Sequence, residues 1–200
     1  MVLRPEWGAA GARLAHPRLI LKRPWFSLLG RKMYVYAPNR SLLAYVKRPL
    51  FKLRDEFTIY ADESETQPLL LVKARSVIGI NMSYDVIDCA SKQRVGTIRS
   101  RGWESIFRDT YDLLDEREQP VGVFVETGNA MLRRLFPFLL GEWNIEVRGQ
   151  TIGRVEQVWQ WFEKEFTLDL SANRDAMDPR FAVALTVFAL IRESRREQNG

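Results

Sequence analysis

Between Met33 and Val155 the chain alternates short apolar or aromatic runs with clusters of turn-forming residues. Met33-Tyr34-Val35-Tyr36 gives way to Pro38-Asn39 and returns as Leu42-Leu43-Ala44-Tyr45-Val46. Residues 57–60 return as 69–72 across Asp62-Glu63-Ser64-Glu65, and 84–88 return as 95–98 across Ser91-Lys92-Gln93. Residues 111–115 return as 121–125 across 116–119, and 143–147 return as 152–155 across Arg148-Gly149-Gln150. Alternation broken by such turns predicts five β-hairpins. Residues 162–170 predict one more strand. After three of the turns an apolar residue is followed directly by glycine: Val95-Gly96, Val121-Gly122 and Ile152-Gly153. This is a degenerate repeat of one hairpin unit. Glycine inside a strand marks a bulge, a bend or a close backbone approach, and bends at matching points are what closing a sheet requires.

The longest apolar stretch runs from Phe181 to Ile191 and is interrupted only by Thr186. Asp178 suits the N-cap, Pro179 the first helical position, and Arg192, Arg195 and Arg196 the C-terminal end of a helix. The Thr186 hydroxyl can bond back to its own helix. A helix with no polar face must be surrounded on every side, by protein or by lipid. Eleven residues rise about 17 Å, well short of the roughly 30 Å hydrocarbon core, so the surround is protein. Leaving the large side chains of one face in water would forfeit about 1.5–3 kcal/mol each, against a net stability of about 5–15 kcal/mol. The expected fold is therefore mainly β: a closed antiparallel barrel of about twelve strands around a buried C-terminal hydrophobic helix. The polar residues to Glu197 are expected to extend the helix. A short helix is also expected over 129–136, ending near Pro137.

Residues 1–20 show no periodicity and contain Pro5, Gly8, Gly11 and Pro17. They are expected as a mobile basic arm, leaving 21–197 as a single barrel domain. At 46% hydrophobic and 28% charged the chain has a globular make-up. One cysteine, Cys89, excludes an internal disulfide and suits a reducing compartment. No signal peptide or spanning segment is apparent, and a cytoplasmic protein, peripheral at the inner membrane surface, is expected. The net charge of +5 is unevenly spread: residues 1–54 hold twelve basic residues against one acid, Glu6. A basic N-terminal quarter can meet anionic lipid or nucleic acid. The plainer reading is a solvated basic surface balanced by acidic neighbours.

A hairpin-rich barrel with a late apolar helix, entered through Asp175, Asp178, Pro179 and Arg180, resembles the tubby C-terminal-like superfamily. Within it the likeness is to phospholipid scramblase and LURP-one-related proteins. It runs loosely over 25–195, and the best local match is Tyr84-Asp85-Val86-Ile87-Asp88 through Val95-Gly96-Thr97-Ile98, then Gly102-Trp103. The resemblance implies a barrel around a buried helix rather than a membrane anchor. For function it implies phosphoinositide headgroup binding, a link to transcription, or association with membranes and lipid movement. The chain departs from the scramblase pattern in lacking a cysteine cluster for palmitoylation and a Pro-rich N-terminal tail.

Chemistry is sparse. No Walker loop, nucleotide fingerprint or metal cluster is present, and the lone Cys89 and His16 are far apart. Asp169, Asp175 and Asp178 lack the spacing of a calcium loop. No cofactor and no metal are expected, and no enzymatic activity. Asp85 with Asp88, and Asp112 with Asp115, stand near turns, where carboxylates accept turn N–H groups. Lys73 with Arg75, and Arg99 with Arg101, are two apart on strands and so share a face. Lys47, Arg48, Lys52 and Arg54 form a further cluster. These eight are the candidate lipid-binding residues, with Trp103 beside Arg101 able to enter the headgroup level. In the plainer alternative Trp103 is core and the arginines pair with acids on neighbouring strands. The leading functional expectation is a non-enzymatic module that binds anionic membrane lipid reversibly through its basic surface. A nucleic-acid-associated regulator and a partner-binding scaffold are the alternatives, no particular protein partner is indicated, and a lipid scramblase has least support.

Overall fold

The structure, a computed structural model, describes residues 7–24, 32–47, 56–75, 82–101, 110–127, 140–160 and 163–199. Twelve strands follow one another: β1 (Arg18–Pro24), β2 (Lys32–Tyr36), β3 (Leu42–Lys47), β4 (Glu56–Tyr60), β5 (Pro68–Ala74), β6 (Ser83–Asp88), β7 (Arg94–Ser100), β8 (Thr110–Leu114), β9 (Pro120–Glu126), β10 (Glu142–Val147), β11 (Gln150–Val158) and β12 (Glu163–Asp169). Each pairs antiparallel with its neighbours in chain order, and β1 closes the barrel on β12. All five expected hairpins form, as β2–β3, β4–β5, β6–β7, β8–β9 and β10–β11. The helix expected over 129–136 lies outside the described residues.

The expected mobile arm over 1–20 is corrected from residue 7 onward. Helix α1 (Gly8–Leu14) buries Ala10 and Leu14, with Trp7 buried just before it. Residues 18–20 then open β1, which pairs with β12 at seven positions from Arg18↔Asp169 to Pro24↔Glu163. Leu19, Leu21 and Arg23 are its buried residues. A charged residue at an inward position, followed by proline, hides the alternation of a strand whose partner lies far along the chain. Arg13 holds α1 against one end of the barrel, donating from Nε to the Leu43 carbonyl at 2.6 Å and from Nη2 to that of Ala61 at 3.1 Å.

The hairpins share one irregularity. On each return strand a single residue has no cross-strand partner: Leu43, Leu69, Val95, Val121 and Ile152. The apolar-Gly repeat marks three of these bulges, and Leu43-Ala44 and Leu69-Leu70 stand at the other two. A bulge bends its strand and raises the local twist, so five in equivalent places curl the sheet until its edges meet. Gly122 and Gly96 also permit close approach. A Cβ on Gly122 would lie 2.0 Å from the Glu146 carbonyl oxygen, and one on Gly96 would lie 2.8 Å from that of Leu114 and 2.9 Å from Cζ of Phe181.

Helix α2 (Pro179–Asn199) fills the barrel. Every side chain from Phe181 to Ile191 is at most 5% exposed. The Asp178 carboxylate accepts the Arg180 N–H at 2.9 Å and its carbonyl accepts that of Ala182 at 3.0 Å, the geometry of an N-cap. Thr186 donates to the Ala182 carbonyl at 2.8 Å, so its hydroxyl is satisfied within the helix. Phe188 meets the rings of Tyr84 and Tyr111 at centroid distances of 4.6 and 5.3 Å. Further round the barrel, Trp143 on β10 stacks on Phe124 of β9.

Three outcomes are expected in urea unfolding. Gly122→Ala forces a carbon into a backbone oxygen that a rotamer change cannot clear, and it costs about 1–3 kcal/mol or more; Gly96→Ala, where a Phe181 ring can give part of the space, costs less. Each hairpin turn also holds one non-glycine residue at positive φ: Arg40, Glu65, Lys92, Glu118 and Arg148. Arg40, exposed at φ 65°, is expected to gain up to about 1 kcal/mol on replacement by glycine, through relief of the left-handed strain.

Candidate anion-binding wall

The outer faces of β5, β6 and β7 gather four of the eight sequence-predicted residues. Lys73 on β5 stands opposite Asp85 on β6, which stands opposite Thr97 on β7. One pleat along, Ser83 stands opposite Arg99, and Arg99 opposite Asp112 on β8. Arg75 follows the end of β5, with its N–H on the Ser83 carbonyl, and Arg101 follows the end of β7. Alternation alone puts these side chains outward, because Val72, Tyr84, Ile98 and Ser100 occupy the inward positions between them.

Their electrostatic states differ. Arg75 donates to Asp85 at 2.8 Å and to Glu118 at 3.0 Å, and Arg94 reaches the same Glu118 at 2.9 Å. The hydrogen bonds to Asp85 and Glu118 raise the Arg75 pKa, and the Arg75 guanidinium in turn lowers that of Glu118. Arg101 pairs with Asp112 at 2.7 Å. Lys73 is exposed and Arg99 half-buried, and neither has a hydrogen bond or ion pair among the described residues. The wall is thus part neutral network and part uncompensated charge. Lys47 lies elsewhere, at the end of β3, paired with Glu65 at 3.1 Å. Arg48, Lys52, Arg54 and Trp103 lie outside the described residues.

The basic surplus of the first 54 residues is largely answered where it can be followed. Arg18 pairs with Asp169 at 2.6 Å, Lys22 with Glu163 and with Glu165, and Lys32 with Glu63 at 2.9 Å. Closure explains this, since β1 lies beside the acidic β12 and the 61–67 turn supplies Glu63 and Glu65. Of the acids expected to accept turn N–H groups, Asp88 and Asp115 do so, Asp88 from Ala90 and Ser91 and Asp115 from Arg117 and Gln119. Asp85 and Asp112 are arginine partners instead.

Sequence reasoning missed one ionic site. Arg180, at the start of α2, is buried and donates to Asp88 at 3.0 Å and to Asp178 at 2.6 Å. Burial pushes the Asp88 carboxyl up, but the Ser91 N–H and the Arg180 guanidinium outweigh it and hold it below the usual range. An arginine directly behind the Asp-Pro cap of an otherwise apolar helix was the available signal. Among the described residues no group of three or more His, Cys, Asp or Glu side chains is placed to hold a metal ion, and no helix is long and apolar enough to cross a membrane.

Fold and surface together define a closed barrel filled by its own helix and carrying a mixed-charge outer wall. The chain belongs to the LURP-one-related family, whose model matches residues 42–189. A solved structure from Arabidopsis thaliana is similar along nearly its whole length: 14% identity, TM-score 0.49, covering 94% of this chain and 95% of the plant protein. No curated protein sequence matches.

The seam gives a pH prediction. Hydrogen bonds from Ser171, together with Arg18, lower the Asp169 pKa from 3.8 to about 2. A depressed carboxyl contributes stability that is present above its unfolded pKa and is lost as pH falls through the folded one. Asp169→Asn is therefore expected to flatten the acid limb of the stability profile between about pH 4 and 2, leaving the profile near neutrality parallel to wild type, as read by thermal unfolding across that range.

Proposed function

We propose that the protein docks reversibly on anionic membrane lipid, with headgroups meeting the outer wall of β5–β7 through Lys73 and Arg99. The supporting observation is that these two cations, on the strands flanking β6, carry no ion pair among the described residues, while Arg75 and Arg101 beside them are committed to Asp85, Glu118 and Asp112. Five basic residues on the wall (Lys73, Arg75, Arg94, Arg99, Arg101) stand with four acids (Glu56, which faces Lys73 from β4, Asp85, Asp112 and Glu118), an excess of one charge. Each uncompensated cation near an anionic leaflet contributes about 1 kcal/mol. The wall by itself gives weak, reversible attachment that salt screens. Family membership is consistent with a binding module of this kind. The reading assigns the barrel no catalytic role.

Flotation with vesicles of phosphatidylcholine, alone or with phosphatidylserine or a phosphoinositide, tests the reading. Recovery is expected only with the anionic vesicles, falling as salt rises. The double variant Lys73→Glu/Arg99→Glu is expected to lose most of that recovery while unfolding in urea like wild type. Equal recovery on neutral and anionic vesicles at low salt, or full recovery of the double variant, would remove the assignment.

A further inference from the structure

We infer that the buried Asp88–Arg180 pair is the device that sets how deep α2 sits in the barrel. The problem it solves arises from the helix itself. From Phe181 to Ile191 the surface is apolar all round apart from Thr186, whose hydroxyl is turned onto its own helix. Along this span, sliding α2 by one turn, about 5.4 Å, exchanges one apolar side chain for another, so depth is registered at its ends, where Arg180 on one side and Glu193 and Ser194 on the other are buried polar residues. Hydrophobic burial encloses the middle of such a rod without choosing its depth.

At the end where the helix enters the barrel, Arg180 makes the choice. It is 9% exposed, and its Nη1 lies 3.0 Å from Oδ2 of Asp88, itself 3% exposed. Asp178 cannot serve this purpose, because it travels with the helix. Asp88 belongs to the wall, and a slide in either direction would strip a buried guanidinium of that partner, which low-polarity surroundings penalise strongly. Buried polar pairs fix register in the same way along coiled-coil seams. The same hairpin reads the helix twice more. Phe181 lies against Gly96 on β7, and Phe188 against Tyr84 on β6. Asp88 also divides its two oxygens: Oδ1 accepts the N–H groups of Ala90 and Ser91, while Oδ2 takes Arg180. The turn after β6 and the docking of α2 are therefore linked through one carboxylate.

The test uses the full chain with methyl-labelled Ala, Ile, Leu and Val. The wild type is expected to give one resonance set for α2. Asp88→Asn/Arg180→Met removes the charges and keeps an apolar filler, so overall stability is not the readout. This variant is expected to show two or more sets, or displaced shifts for Ala182, Val183 and Leu185. A single set at wild-type positions would overturn the inference. Native-state hydrogen exchange on the wild type answers independently of whether the variant folds. The amides of Ala90 and Ser91 are expected to open together with the first turn of α2, at matching protection and matching denaturant dependence. Opening of the 88–93 turn at more than tenfold lower protection than the start of α2 would equally overturn it. Neither readout depends on lipid binding.

Discussion

A helix with no water-facing side cannot exist in this chain unless something else surrounds it, and that requirement organises the molecule. Helix α2 presents apolar side chains in every direction from Phe181 to Ile191, so a sheet on one face would leave half of it wet. Only a sheet closed on itself serves. The bulges at Leu43, Leu69, Val95, Val121 and Ile152 are how the twelve strands manage the closure. Barrel and helix are in this sense one core, with the inward pleats of β6, β8 and β9 forming an aromatic lining (Tyr84, Tyr111, Phe124) for Phe188 and its neighbours.

Closure also decides the electrostatics. Read along the chain, the first quarter is basic and the rest acidic. Read around the barrel, β1 is a neighbour of β12, and Arg18 and Lys22 meet Asp169, Glu163 and Glu165 across the seam. A linear charge asymmetry thus becomes cross-strand pairing, each exposed pair contributing modestly to stability. The cations that remain uncompensated on the β5–β7 wall come from the middle of the chain.

How much of this was legible follows from the range of the interactions. The hairpins and α2 announce themselves locally, through alternation, turn residues and the Asp178-Pro179 cap. The shared face of Lys73, Arg75, Arg99 and Arg101 also follows from a period of two. Strand β1 was hidden because Arg23 points inward and Pro24 follows it, and its pairing partner lies at the other end of the chain. The pair Asp88–Arg180 is separated by 92 residues; Arg180 stands out behind its Asp-Pro cap, but nothing local marks Asp88 as its partner. Which arginines of the wall are already held by acids depends on cross-strand register and on where the 115–119 turn folds, and period alone fixes neither.

The order of the chain has a consequence for biogenesis. Helix α2 follows all twelve strands, yet it fills the space they enclose, and the seam that closes them joins residues 151 apart. A ribosome delivers the wall before its contents. Until α2 emerges, the inward faces of the strands have nothing apolar to close upon, and the edges of β1 and β12 are open to other chains. Separations of this size also make folding slow. Between the synthesis of β12 and the emergence of α2, the nascent sheet therefore depends on whatever shields those faces and edges.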